Sequence, residues 1–133
     1  MNTSTLKNAT QLAGRALMAV IFLSAGYSKL GGGYAGTQAY MEAMGVPGAL
    51  LPLVITLELG AGLALLLGWQ TRLVASLLAG FSLLSALVFH ADFSDPLQSI
   101  LFMKNLAMTG GFLFLVAGQT HDWSLDARLQ ARV

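Results

Sequence analysis

The sequence predicts an all-α integral membrane protein: a four-helix bundle with antiparallel neighbours and both termini in the cytoplasm. Three observations predict it. Of 133 residues, 56% are hydrophobic and only 10% are charged, against about 25% charged in ordinary soluble domains. Mean hydropathy is +0.70. Four apolar runs each approach the roughly 20 residues that a helix needs to cross a bilayer core of about 30 Å. These runs leave little chain for soluble structure, so one transmembrane domain is expected over residues 1–133. The same figures exclude a disordered chain, a nucleic-acid-binding module and an ordinary soluble α/β enzyme. A formal net charge of +1 implies no polyanionic partner, and the absence of cysteine removes thiol relays, thiolate metal sites and iron–sulfur clusters.

The first helix is expected over about residues 11–28, where the apolar stretch Ala16 to Leu23 lies between Gln11 and Ser28. Backbone groups in lipid must satisfy one another, so such a run folds as a helix. Gly31, Gly32 and Gly33 end it, because consecutive glycines weaken a helix and permit sharp turns. Within the long connection that follows, about residues 36–44 suggest a short interfacial helix with Tyr40, Met41 and Met44 on its apolar side. The second run, about 48–68, starts between Pro47 and Pro52, where a missing amide donor is harmless. The turn Gly68 to Arg72 leads into the third run, about 73–90, and is short enough to make the two helices antiparallel neighbours. Asp92 to Pro96 separates it from the fourth run, about 99–117. Small residues in the second, third and fourth helices (Gly60, Gly62, Ala75, Ala79, Gly110) allow close helix approach in lipid.

Four crossings put both termini on one side. Lys7, Arg15, Arg72, Arg128 and Arg132 lie on that side, while the Asp92–Pro96 loop is acidic. Basic residues stay in the cytoplasm, which orients the chain. Trp69 and Trp123 then mark the cytoplasmic interface, and Tyr27, Tyr34 and Tyr40 the outer one. A cleaved signal peptide ending near Ser24, Ala25 and Gly26 is the rival reading. It leaves three crossings and removes the sidedness of the charges.

Ionisable groups at membrane depth cost about 2.5–3.5 kcal/mol on insertion scales. Glu58, in the middle of the second run, therefore needs a partner, a proton or a hydrated cavity; a helix-packing hydrogen bond from a neutral acid weighs equally. Lys104, with Asn105 beside it, lies about five residues inside the fourth run and can snorkel outward. His90 and Lys29 close the third and first helices on the outer side, where structural and anchoring roles are the default. Side chains tilt toward a helix N-terminus, so all four groups lean into the outer half of the bundle. Glu58 and Lys104 differ in depth by about 6 Å, and an ion pair between them is one expected solution. Arg15 and Arg72 lean toward cytoplasmic water as anchors. The segment Asp122 to Asp126 suggests a short surface cap. His90 and His121 fall on opposite sides and cannot share a haem iron. No cluster has metal-ligand spacing, and nothing identifies a catalytic residue.

The order of features resembles one family. Gly14 and Arg15 open the first helix, and Gly26, Tyr27, Ser28 and Lys29 close it. Then come Gly45-Val46-Pro47, Glu58-Leu59-Gly60-Ala61-Gly62, Gly68 with Thr71-Arg72, His90, Lys104-Asn105 with Gly110-Gly111, and Trp123 to Asp126. Taken together, these resemble the DoxX family of small bacterial four-helix inner-membrane proteins. The resemblance implies links to membrane redox complexes, since the family takes its name from a subunit of a thiosulfate:quinone oxidoreductase. It carries motif positions onto Arg15, Lys29, Glu58, His90, Lys104 and Asn105 without assigned roles. Three functions follow as expectations. One is an accessory redox subunit that binds a quinone through Lys104, Asn105 and His90, with Glu58 relaying protons and with membrane redox proteins as partners. Another is an assembly partner without chemistry of its own. The third is a small proton-coupled transporter, disfavoured because the glutamate lies in the second helix rather than the first.

Overall fold

A computed structural model describes residues 2–118 and 122–132. Among them six α-helices follow one another: α1 (Thr3–Ser28), α2 (Tyr34–Ala43), α3 (Leu51–Leu67), α4 (Thr71–Phe89), α5 (Pro96–Ala117) and α6 (Leu125–Gln130). No strand occurs among the described residues. Four helices are long and apolar enough to cross a membrane, α3 counted with the 3-10 turn Gly48–Leu50 before it. The chain divides into two compact units, Met1–Trp69 with Thr120–Val133, and Gln70–Gln119.

The first unit is built on α1 against α3. Gly26 faces Leu59, Gly62 faces Leu23, and Gly68 faces Arg15. As one index rises the other falls, so the helices run antiparallel. The contact is close because α1 offers no side chain at Gly26. A Cβ there would stand 2.8 Å from Leu59 Cγ and 3.1 Å from Glu58 Cβ, nearer than packed carbons approach. Ala19 (α1) with Leu51 and Leu65 (α3) have no exposed surface, so α1 is part of the core. α1 starts eight residues before the expected position because Asn2 caps it, accepting from the Ser4 amide at 3.3 Å. A short helix, α2, occupies the stretch where an interfacial helix is expected. Met41 is buried, while Tyr40 and Met44 point outward, so only part of the expected apolar side packs inward.

Gly68, in the left-handed region at φ +69°, ends α3, a conformation open to glycine without a Cβ penalty. Its carbonyl accepts from the Asp126 amide at 3.0 Å. α6 therefore packs against the end of α3, level with Arg15 of α1. Ser124 caps it, its hydroxyl accepting from the Ala127 amide at 3.2 Å. The surface cap expected from Asp122 to Asp126 is thus the lead-in to a helix.

The second unit is the antiparallel pair α4 and α5. Their loop-side ends meet at His90 and Gln98, their middles at Ala79 and Thr109, and their far ends at Arg72 and Gly118. Asp95 caps α5, accepting from the Leu97 amide at 2.9 Å, with Pro96 in the first turn. The cap explains why α5 begins three residues before the expected boundary. Phe93 and Phe102 stack edge to face, 5.0 Å between centroids, and pin the loop to α5.

Candidate functional site

Glu58 pairs with Lys29. The lysine Nζ lies 3.0 Å from Glu58 Oε1 and 2.8 Å from Oε2, and donates a third bond to Ala25 O at 3.1 Å. The carboxylate side chain is 6% accessible and the lysine side chain 20%. An ammonium has three protons, and three oxygens take them. The pair is closed on itself, and it is the only salt bridge among the described residues.

This corrects the expected Glu58–Lys104 pair. The reason lies in Gly26, which lets α1 approach α3 at the level of Glu58. Lys29, less than one turn further on, then leans back along α1 while Glu58 leans toward the start of α3. The two tilts expected from helix geometry meet within the first unit. Lys104, in the second unit, is exposed and has no ion-pair partner among the described residues.

Of the other candidates in the second unit, His90 and Arg72 tie α4 to α5, and Asn105 is bonded within α5. His90 Nδ1 lies 2.7 Å from Gln98 Oε1. Asn105 is buried and its side-chain amide donates to Leu101 O at 2.9 Å, while its main-chain carbonyl accepts from Thr109 Oγ1 at 2.9 Å. Arg72 donates to Gly118 O at 3.0 Å, tying the start of α4 to the carbonyl end of α5. Among the described residues no three His, Asp or Glu side chains gather as a metal group. His121 lies outside the described residues.

Arg15 does not reach water as expected. It is 5% exposed and donates through Nη2 to Trp123 O at 2.6 Å, with Asp126 as the nearby opposite charge. The C-terminal segment covers it. Asn8, also buried, donates to Asp122 Oδ2 at 3.2 Å. Gln11 Oε1 and Arg15 Nε are buried without a hydrogen-bond partner among the described residues. Asn8, Gln11 and Arg15 fall at i, i+3 and i+7, one polar stripe of α1. That spacing is legible in the sequence. Reading Arg15 singly as an anchor hides it.

These features define a multi-pass α-helical membrane protein with one buried ion pair and a polar stripe roofed by its own C-terminal segment. The DoxX family profile matches residues 10–91. The chain belongs to the DoxX family. It is 50% identical over 127 residues to the inner membrane protein YqjF of Escherichia coli K12, covering 96% of this chain and 97% of that protein. It is 32% identical over 125 residues to the inner membrane protein YphA of the same organism, covering 88% of each. No solved structure matches the chain. With four spanning helices and inner-membrane relatives, the protein is a multi-pass inner-membrane protein.

Proposed function

We propose that the protein is an accessory subunit that docks in the membrane against a redox partner through the face of α5 that carries Lys104. One observation carries this reading: Lys104 is exposed among outward-facing Ile100 and Met103, with no acid to pair it among the described residues. It stands eight residues into α5, about 12 Å along the axis. A lysine stem recovers about half of that by snorkelling. A carboxylate on a neighbouring subunit would offset the remaining cost. The Lys29–Glu58 pair supports the same reading from the other side. Its donors are spent internally, which suits a structural tie better than a ligand site.

Lys104 also favours a second reading. An amine facing lipid is placed for hydrogen bonding to the carbonyl of a membrane-dissolved quinone. Mass spectrometry of the gently solubilised wild type and K104M separates the two. A partner protein present with the wild type and reduced about tenfold with K104M supports docking. A quinone lost with K104M and no protein partner supports the second reading. Identical composition for both proteins, or a bare monomer in both, overturns both.

A further inference from the structure

The end of the first unit where α6 packs has a division of labour that the ion-pair chemistry does not use. Both acids of the C-terminal segment are engaged with α1: Asp122, itself exposed, accepts from Asn8 at 3.2 Å, and Asp126, half-buried, interacts electrostatically with the buried Arg15. The bases are not. Arg128 and Arg132 are exposed and have no ion pair among the described residues. Arg128 shares a stripe of α6 with Leu125 and Leu129 at i, i+3 and i+4, Arg132 follows in the turn after the helix, and both leucines are exposed too. Trp123 before α6 and Trp69 after α3 are each nearly half exposed.

The position of this collar fixes what surrounds it. From Gly48 to Gly68 the chain advances 20 residues, about 30 Å of helix, the thickness of a hydrocarbon core. Gly68 stands level with Arg15. From Arg15 back to Thr3, α1 continues for 12 residues, about 18 Å, beyond that level. The collar sits on this extension, against Asn8 and Arg15, and so lies at headgroup depth. Apolar and indole side chains there reach acyl chains, and the arginines stand among phosphates.

We infer that this collar is a binding surface for the anionic phospholipids of the leaflet around it. With Asp122 bonded to Asn8 and Asp126 half-buried, the exposed charges of α6 and the turn after it are Arg128 and Arg132, although the segment from 122 to 132 has two acids and two bases. Near an anionic leaflet each basic side chain favours the charged lipid by about fivefold. The two outward arginines together therefore select it by more than tenfold.

The test uses the protein's own fluorescence, because its two tryptophans, Trp69 and Trp123, both belong to the collar. The full-length protein is reconstituted into phosphatidylcholine vesicles with about one lipid in ten brominated, either as phosphatidylglycerol or as phosphatidylcholine. The expected result is at least about twofold stronger quenching by the brominated anionic lipid at low salt, with the excess shrinking as salt screens the charges. R128Q/R132Q, with helicity checked by circular dichroism, brings the quenching by the two lipids close to equal. Equal quenching by the two lipids in the wild type overturns the inference, and that measurement needs no variant. So does a preference that survives R128Q/R132Q. Tryptophans quenched by aqueous iodide but by neither lipid also overturn it, since the collar would then face water or protein.

Discussion

Removing Lys29 tests whether the α1–α3 contact depends on its ion pair. In K29M the side chain keeps most of its apolar volume but loses the ammonium. Glu58 then remains 5% exposed, without the cation that gave it two hydrogen bonds. Breaking one partner of a buried pair costs about 3–5 kcal/mol. Lys29 keeps one fifth of its side chain accessible, so the low end applies, about 3 kcal/mol, or roughly a hundredfold in the unfolding equilibrium. The double variant K29M/E58L removes both charges and is expected within about 1 kcal/mol of the wild type, since replacing a buried pair by apolar groups is close to neutral. The assay is equilibrium unfolding in mixed micelles of increasing sodium dodecyl sulfate, followed by circular dichroism. A K29M loss below about 0.5 kcal/mol would refute the reasoning, as would a double variant no more stable than K29M.

Three further outcomes are expected. G68A places a Cβ onto Arg15 Nη1 and a non-glycine residue at φ +69°, so the same unfolding assay is expected to show a loss of at least about 1–2 kcal/mol. S124A removes the hydroxyl that caps α6, which costs about 1 kcal/mol locally; hydrogen exchange is expected to speed up over residues 125–130 and leave α4 unchanged. In the α4–α5 loop, the Ser94 hydroxyl and amide hold the Asp92 carboxyl below its ordinary value. The stabilisation belongs to the ionised form, so it is present above the ordinary carboxylate range and lost as pH falls through the lowered value. An NMR titration of the Asp92 side chain in S94A is expected to move back up, and an unchanged titration would show that the Ser94 hydroxyl is not the cause.

Some of this architecture is written in one dimension. Hydropathy and helix length determine the four spanning helices, because lipid leaves a backbone no alternative to helix and about 20 residues are needed to cross. Glycine and proline determine the breaks: Gly68 and the Pro96 region fall where the chain turns. Boundaries were legible only to within a turn or two, since caps such as Asn2 and Asp95 extend a helix into residues too polar to register as apolar runs. Glu58 stood out as a residue in need of a partner, for the same dielectric reason that makes it costly.

The identity of that partner was decided in three dimensions. Lys104 and Lys29 both lie within reach by depth and tilt, and depth alone does not separate them. The choice falls to Gly26, whose missing Cβ brings α1 against α3 and puts Lys29 on the carboxylate. Arg15 shows the same limit: its tilt points to water, but the C-terminal segment, more than a hundred residues later, folds back over it. A sequence determines which groups cannot stay alone in lipid. Only the packing of distant helices determines which of the available counter-charges reaches them, because that depends on a gap of one methyl group between surfaces far apart along the chain.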